Sequence, residues 1–405
     1  MRKGFLSEYF EGVAAKRLSS VETNPDASNQ HEFNGSTNLR RLLGDERLTD
    51  CPTRFIWLGE ENEALTDDSG VTWYDAREQH PTRAEYRLYF KSNPAMDLAS
   101  ADDLLVVAKR PDASLIIIIV SEGSTVENQL LWLFGVPVRI KTSFEYRDIE
   151  NEADTEVDFA VRFILDELGI EIEEPDSDRL DELLAGFNRT FPTTAVFSGF
   201  ARETLPGVDP RDDADAALLA WMEWEEKLFR RMERHIVSER LEAGFAGPDG
   251  ADVDGFIGFS LSVQNRRKSR TGYALEHHLE EVFRVHDILY NRQAVIDNNS
   301  KPDFLFPGAN EYNDKSFPAA RLSMLGVKST CKDRWRQVLA EANRIPDKHL
   351  FTLEPGISEN QTDQMHVNRL QLVLPRGIHG TYRESQRKWL MGLEEFIVIV
   401  RDRQG

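Results

Sequence analysis

The sequence predicts a multidomain α/β protein with three regions. These are a β-rich, barrel-like N-terminal domain (1–145), a helical, acidic middle region (146–250) and a C-terminal α/β core with a central mixed sheet (251–405). Three observations support the division. Short alternating or continuous apolar runs fill the first region, three- and four-residue apolar spacings fill the second, and both patterns occur in the third. With 405 residues and a 40% hydrophobic content, the chain is long enough for several cores.

Short strands dominate the first region, and turn-forming residues at 67–70, 92–94 and 111–112 separate them. One strand alternates with period two, which places Arg83, Arg87 and Lys91 on a single face. Such runs are typical of a barrel or a sandwich. The predicted strands are Phe55–Leu58, Val71–Tyr74, Glu85–Phe90, Leu104–Ala108 and Leu115–Val120.

From about residue 146 the pattern becomes helical and acidic, with predicted helices at Val157–Leu168 and Asp213–Glu242 and a break at Gly247–Gly250. The C-terminal region then alternates helices with strands, which suits a central sheet covered by helices. Its predicted helices are Tyr273–Tyr290, Asp333–Asn343 and Gln386–Val400. Its predicted strands lie near Phe304 and at Met324–Lys328, Leu350–Leu353 and Leu370–Leu374.

The formal net charge of −21 taken alone argues against a nucleic-acid partner, because phosphate binding needs basic surface. The charge is uneven, however, since Asn265–Arg270 contains only basic and neutral side chains. The two cysteines, Cys51 and Cys331, cannot form a disulfide framework or a CxxC zinc pattern. Met1–Phe10 lacks the apolar core of a signal peptide, and no apolar run is long enough to cross a bilayer. We therefore expect a soluble, cytoplasmic protein without a membrane partner.

Asp303, Lys328 and Glu341 form the pattern with the clearest chemical meaning. Asp303 follows a proline and opens one strand, Lys328 ends the next strand, and Glu341 lies on the helix after it. The ends of adjacent strands in a twisted sheet can bring such side chains together. Two carboxylates can hold a divalent ion, and a lysine beside it can orient water and neutralise developing charge, which suits phosphodiester hydrolysis. From spacing alone, a turn aspartate and an exposed lysine are the alternative.

The helix predicted at Tyr273–Tyr290 adds Glu276, which can face the end of the sheet or stand in solvent. The adjacent His277 and His278 face different directions, so we interpret them as surface or core residues rather than metal ligands. The basic run precedes this helix, either as a solvated turn or as a group that holds the DNA backbone and reads guanine edges. Its candidate DNA-binding residues are Arg266, Arg267, Lys268 and Arg270.

Four segments closely resemble the catalytic half of the EcoRII-like type II restriction endonucleases. They are Ser262–Phe283, Lys301–Tyr312, Gly326–Ile345 and His349–Gly356, and the run Lys332–Gln337 is the most specific. The resemblance implies a restriction-endonuclease-like core of the PD-(D/E)xK type, Mg²⁺ dependence and cleavage of double-stranded DNA at a short CCWGG-type site, where W is A or T. It also implies a homodimer on a symmetric site, a cognate DNA methyltransferase and a role in phage defence.

The resemblance implies roles for individual residues. Asp303, Lys328 and Glu341 carry over as catalytic residues, with Asp303 and Glu341 as the metal ligands. The usual acid two residues before the lysine is absent, since Gly326 stands there, and Glu341 replaces it. The further candidate catalytic residues are Glu276, Tyr312 and Arg334.

The same resemblance bears on DNA binding. Lys268 matches a DNA-contacting lysine, but Tyr273 stands where a second such lysine is expected, which leaves the recognised base sequence open. The related enzymes carry an N-terminal β-barrel domain that binds a second DNA copy and blocks the catalytic core until it does. By this analogy Arg83, Arg87 and Lys91 are candidate contacts to effector DNA, with an ordinary solvated strand face as the alternative.

Three other functions stay open at this point. A defence nuclease that senses modified or foreign DNA would cut only one modification state. A non-catalytic DNA-binding regulator, which the glycine at position 326 favours, would bind DNA in Ca²⁺ without cutting it in Mg²⁺. A protein-interaction module, which the acidic composition permits, would show no salt-dependent DNA binding.

Overall fold

A computed structural model of the chain describes residues 4–23, 31–59, 64–151, 155–172, 177–187, 190–247, 250–331 and 334–405. The chain divides into two compact units. The first contains Met1–Ile172, Pro355–Gln361 and Thr381–Arg383, and the second contains Glu173–Glu354, Thr362–Gly380 and Glu384–Gly405. This division differs from the predicted boundaries, because the helical middle region is shared between the units instead of forming one of its own. In the described ranges, no helix has both the length and the apolar character needed to span a membrane.

The first unit is built on one eight-stranded sheet. Its strands are β1 (Gly12–Arg17), β2 (Glu32–Asn34), β3 (Leu48–Leu58), β4 (Ala64–Asp75), β5 (Tyr86–Phe90), β6 (Leu104–Lys109), β7 (Leu115–Val120) and β8 (Glu145–Asp148). They are ordered β2-β5-β4-β3-β7-β6-β1-β8, with β3 and β7 parallel and the other neighbours antiparallel. The helices are α1 (Ser20–Thr23), α2 (Thr37–Leu43), α3 (Pro94–Asp97), α4 (Thr125–Leu133) and α5 (Phe159–Glu167).

The sheet curls around an apolar core to which all eight strands contribute. Its two edge strands approach each other, since the buried Lys16 ammonium lies 5.5 Å from the ring centre of Phe33 and 5.1 Å from that of Phe144. Asn38 of α2 donates a hydrogen bond to the Phe144 carbonyl at 2.7 Å, so α2 bridges the gap between the edges. The sheet is therefore barrel-like in curvature, but β2 and β8 do not pair in the part of the chain that the structure describes.

One predicted turn in this unit is wrong. Residues 67–70 lie inside β4, because contacts to β3 outweigh their local turn preference. Arg54 of β3 donates to both carboxylate oxygens of Asp68, at 2.8 and 3.1 Å, and so stabilises the pairing across this stretch. Gly70 lies against the Asp50 side chain, where a Cβ atom would collide. Arg83, expected to share a strand face with Arg87 and Lys91, instead lies in the loop before β5.

The second unit combines helices with a five-stranded sheet. Its helices are α6 (Ser177–Leu184), α7 (Thr194–Thr204), α8 (Ala214–Ala243), α9 (Val253–Val285), α10 (Ala309–Asn313), α11 (Trp335–Leu339), α12 (Glu359–Val367, whose first residues belong to the first unit), α13 (Glu384–Arg387) and α14 (Leu393–Gln404). Its strands are β9 (Ala246–Gly247), β10 (Gly250–Ala251), β11 (Asn291–Arg292), β12 (Phe304–Phe306), β13 (Ser323–Lys328), β14 (Lys348–Thr352) and β15 (Leu370–Val373). The order β11-β12-β13-β14-β15, antiparallel up to β13 and parallel beyond it, is the predicted mixed sheet.

Helix α9 differs from its prediction. The predicted helix Tyr273–Tyr290 is only the second half of α9, which begins at Val253 and ends at Val285. The Asp252 side chain caps its first turn by accepting a hydrogen bond from the Gly255 N–H at 2.9 Å. The basic run therefore lies inside a helix rather than in a turn before one. Pro248 and Asp249 of the predicted break lie outside the described residues.

The C-terminal helix is also divided. Instead of one helix over Gln386–Val400, the structure has α13 and α14, with an extended segment between them. Met391 in that segment lies beside the edge of β15, where its carbonyl accepts a hydrogen bond from the Leu374 N–H at 2.9 Å. This contact with the sheet holds the segment out of helical geometry.

Candidate active site

The Asp303 carboxylate lies at the junction of β12 and β13. Phe304 stands opposite Leu325 in the antiparallel pair, so Asp303, directly before β12, is level with the carboxyl end of β13. Asp303 Oδ2 accepts hydrogen bonds from the Val327 backbone N–H at 2.6 Å and from Lys328 Nζ at 3.1 Å. Both partners of the ion pair are largely buried, with 12% of the Lys328 and 15% of the Asp303 side chain exposed. The sheet itself thus brings the acid and the lysine together.

Glu341 lies just beyond α11, not inside the predicted helix Asp333–Asn343. The helix ends at Leu339, and Ala342 adopts a left-handed conformation with φ of +47°, which is incompatible with its continuation. One carboxylate oxygen of Glu341, Oε2, is buried and has no hydrogen-bond partner among the described residues. Burial, and then the negative charge of Asp303, raise the pKa of Glu341 to about 7, while Lys328 and Lys348 act in the opposite direction.

Gly326 explains why the second acid comes from beyond α11. A Cβ atom at Gly326 would lie 2.8 Å from Cγ2 of Val338 on α11, so no side chain fits at this point of β13. The glycine lets α11 pack closely on the strand. Because α11 is short and lies against β13, the chain that leaves it carries Glu341 back toward Asp303.

Asp303 and Glu341 suit a divalent cation. Carboxylate oxygens are the ligands that Mg²⁺ prefers, and Oε2 of Glu341 is buried without a hydrogen-bond partner among the described residues. In the described part of the chain, no cluster of three or more Asp, Glu, His or Cys side chains is arranged to hold a metal ion. A bound cation would therefore complete its coordination with water, backbone oxygens or substrate.

A cleft of about 900 Å³ opens over Asp303 and Lys328. Cationic side chains outnumber acidic ones along its walls, in contrast to the net charge of the whole chain. The lining cations are Arg266, Lys268, Arg270, Lys328 and Arg334, and the lining acids are Glu276 and Asp303. A groove of this character attracts a polyanion in spite of the acidic composition.

Two members of the basic run serve the fold. Arg270, with 7% of its side chain exposed, forms ion pairs with Glu225 at 3.0 Å and with Glu226. Arg267 Nε donates to Glu233 Oε2 at 2.6 Å. These pairs fasten α9 to α8, so both guanidiniums already have partners in the free protein.

The other two members of the run face the cleft. Lys268 is exposed and forms no ion pair with the residues that the structure describes. The exposed Arg266 guanidinium lies over the Phe191 ring, 4.4 Å from its centre, which fixes its direction without neutralising its charge. Arg266 and Lys268 are therefore the members of this run that stay available for phosphates.

Arg334 and Tyr312, the remaining candidate catalytic residues of the second unit, lie in different surroundings. Arg334 is exposed and lines the cleft, while its neighbours Lys332 and Asp333 lie outside the described residues. Tyr312 does not line the cleft, because it is buried on α10, where its hydroxyl donates to Asp297 Oδ2 at 2.9 Å. Burial raises the pKa of Tyr312 to about 12. The structure thus places Tyr312 in a hydrogen-bonded core position rather than with Asp303 and Lys328.

The candidates of the first unit differ in their surroundings. Arg87 forms ion pairs with Glu85 and, at 3.5 Å, with Glu32. Lys91 lies 3.6 Å from Asp50, and both of these side chains are exposed. Arg83 is exposed in the loop before β5, so it is the least constrained of the three.

Two residues beside the site, Arg292 and Gln293, belong to no sequence motif and were not predicted. Arg292 ends the two-residue strand β11 and Gln293 follows it, and so short a strand produces no recognisable pattern. Arg292 forms an ion pair with Glu276 at 2.6 Å, and Gln293 lines the cleft. His278, by contrast, is a core residue, fully buried with Nε2 at 2.9 Å from Glu225 Oε2.

The part of the chain that contains Asp303, Lys328 and Glu341 resembles known proteins. Residues 229–397 match the family described as EcoRII C terminal. The C-terminal region carries an EcoRII C-terminal domain. The predicted resemblance is thereby confirmed for this region. The type II restriction enzyme EcoRII of Escherichia coli is 45% identical over 186 residues, which is 46% of this chain and 45% of that enzyme. The chain thus spans less than half the length of this relative.

Two solved structures also resemble the chain. Metal-depleted Ecl18kI in complex with uncleaved, modified DNA matches with a TM-score of 0.43 and 17% identity, over 57% of this chain and 85% of that one. The complex of the restriction endonuclease PspGI with substrate DNA matches with a TM-score of 0.40 and 14% identity, over 56% of this chain and 93% of that one.

Replacement of Glu341 by glutamine is expected to raise the melting temperature of the metal-free protein more at pH 8 than at pH 5. The folded-state pKa of about 7 lies above the ordinary value of 4.5, so the folded state binds more protons between these pH values. The carboxyl group therefore weakens stability progressively as pH rises through this window. Thermal unfolding in EDTA measures the effect, with Glu242→Gln at an exposed position as control. An equal shift of the variant at both pH values would refute the assignment.

Proposed function

We propose that the chain is a type II restriction endonuclease that hydrolyses phosphodiester bonds of double-stranded DNA at a short, CCWGG-type site with Mg²⁺. One observation carries the proposal: Asp303 and Lys328 form an ion pair at a cleft lined by cationic side chains, and the charges of both act on the buried carboxyl group of Glu341. The 45% identity to EcoRII, a type II restriction enzyme, supports it.

The chain's own residues take distinct parts in this reaction. Asp303 and Glu341 would hold Mg²⁺, which when bound supplies Lewis-acid stabilisation of charge on the scissile phosphate. Asp303 also orients the Lys328 ammonium through the 3.1 Å contact. From that position Lys328 can donate to the attacking water and to charge that develops on the phosphate oxygens. Arg334, exposed at the cleft, binds a phosphate next to the scissile bond.

DNA binding is assigned to the cationic walls of the cleft. Lys268 and Arg266 hold the backbone, because their charges are exposed and have no acidic partner among the described residues. Arg267 and Arg270 support them indirectly by fixing α9 on α8. Acidic surface outside the groove repels DNA, so the DNA that is to be cut binds in this groove, and its binding weakens steeply with salt.

The partners follow from the proposed substrate. A symmetric site matches a homodimer with two-fold symmetry, in which each copy cuts one strand. An enzyme of this kind in the cytoplasm requires a cognate DNA methyltransferase that protects the host sequence, and its targets are then unprotected DNA such as phage genomes. We also assign to the first unit a DNA-binding role that restrains the catalytic unit, with Arg83 as its most accessible candidate contact.

Lys328→Ala is expected to lower the rate of cleavage of a CCWGG plasmid in Mg²⁺ by about 10²–10³-fold, the usual cost of removing one charge-stabilising donor. The matched control is Lys315→Ala, which removes an exposed lysine that does not line the cleft. Full activity of the Lys328 variant would refute the site.

Assays of the unaltered chain on the same plasmid distinguish the competing functions. Tight binding in Ca²⁺ without cleavage by the unaltered chain in Mg²⁺ would favour a DNA-binding regulator. Cleavage of plasmid in only one methylation state would favour a defence nuclease that senses modification.

A chain that begins at Glu173 is expected to cut faster or less selectively than the full chain, if the first unit restrains the second. The division into units sets this start, because removal of residues up to 250 would also remove α8 and the partners of Arg270. Initial rates on plasmid and on off-site DNA measure the effect, and circular dichroism verifies that the shortened chain is folded. A folded but slower and equally selective chain would exclude restraint by the first unit.

A further inference from the structure

The Arg292–Gln293 pair connects the two acids that line the cleft. Arg292 pairs with Phe304 across the β11–β12 ladder, and the backbone N–H of Gln293 donates to the Asp303 carbonyl at 3.1 Å. Both side chains turn toward Glu276 on α9. Arg292 donates to Glu276 Oε2 through Nη2 at 2.6 Å and Nε at 3.1 Å, and Gln293 Nε2 donates to the same oxygen at 3.3 Å.

The backbone at Gln293 has a conformation that L-residues rarely adopt. Its φ is +49°, in the left-handed region, although the residue is neither glycine nor asparagine. This turn lets one residue bond Asp303 with its main chain and Glu276 with its side chain. Such a conformation persists only where the surroundings fix it, and it occurs preferentially at functional sites.

Glu276 is held in place differently from Glu341. Its Oε2 accepts three hydrogen bonds and faces a guanidinium, which in turn donates to Glu280 at 3.1 Å. Glu341 has an unpaired, buried oxygen and no such partner among the described residues. Glu276 is therefore anchored by its ion pair with Arg292, whereas Oε2 of Glu341 has no hydrogen-bond partner among the described residues.

We propose that Gln293 is a positioning residue of the nuclease site, which transmits the anchored position of Glu276 to Asp303. Glu276 and Arg292 form the fixed end of this link, and Asp303 forms the end at which chemistry occurs. Glu276 then acts through Gln293 and not as a ligand of the catalytic metal. The inference rests on the proposed function, because the position of Asp303 matters only if it takes part in hydrolysis.

Two variants of Gln293 test the link. Both keep a Cβ atom, so the backbone conformation is equally unfavourable in each. Gln293→Ala removes the side-chain amide and is expected to lower kcat about tenfold. Gln293→Glu places a carboxylate against the carboxylate of Glu276 and is expected to lower kcat about a hundredfold, because misplacement of a reacting group has effects of this size. KM for DNA is expected to change less than about twofold in Gln293→Ala, because this variant leaves the cationic groups of the cleft in place. The control, Gln79→Glu, adds the same charge at an exposed position of the first unit.

A double-mutant cycle tests the fixed end. If Glu276 acts through Arg292 and Gln293, the losses in kcat of Glu276→Gln and Arg292→Gln will not add in the double variant, and the Mg²⁺ concentration for half-maximal rate will stay unchanged. Thermal unfolding of Glu276→Gln, Gln293→Ala and their combination in EDTA, without DNA, is expected to show the same non-additivity. Additive losses with a raised Mg²⁺ requirement would instead make Glu276 a metal ligand and overturn the inference.

The outcomes separate this inference from the proposed function. If the unaltered chain cuts DNA and Gln293→Glu cuts at the same rate, only the positioning role fails. If the unaltered chain cuts no DNA in Mg²⁺, the proposed function fails and the positioning role fails with it.

Discussion

The Asp303 carboxylate is the group on which the rest of the site depends. Its Oδ2 accepts the backbone N–H of Val327 as well as the ammonium of Lys328, so one oxygen joins two strands and orients the lysine. A carboxylate in this position cannot move without breaking a contact inside the sheet. The fold therefore presents the acid and the lysine in a fixed relation before substrate arrives, which is the arrangement that electrostatic catalysis requires.

The cations of the second unit are used in two ways. Arg270 and Arg292 are enclosed by carboxylates and hold helices and strands together, and Arg266, Lys268 and Arg334 stand at the cleft without acidic partners among the described residues. A chain with a net charge of −21 can bind DNA only if the second group is concentrated at one place. The first group contributes to this, because Arg292 neutralises Glu276, one of the two acids that line the groove.

Sequence patterns predicted the parts of the structure that depend on local order. Continuous apolar runs marked β7, β13, β14 and β15 to within a few residues, and the same runs placed Asp303 and Lys328 at strand ends. Patterns failed where a distant partner decides the conformation. Asp68 is held in β4 by Arg54, and Met391 is held out of a helix by β15. The contribution of Arg292 and Gln293 is of the same kind, since it exists only through Glu276 and Asp303.

The position of Glu341 illustrates how packing can relocate a functional group. Gly326 leaves no room for a side chain beside Val338, so an acid two residues before Lys328 would separate α11 from β13. The close packing that excludes an acid there is what directs the segment after α11 toward Asp303. The acid that results is half-buried and has an oxygen without a protein partner, and its pKa is raised by burial and by Asp303. Arg292 satisfies Glu276 from within the chain, and no described cation does the same for Glu341. A divalent ion would supply positive charge beside this buried carboxylate, which is why we propose Glu341, together with Asp303, as its ligands.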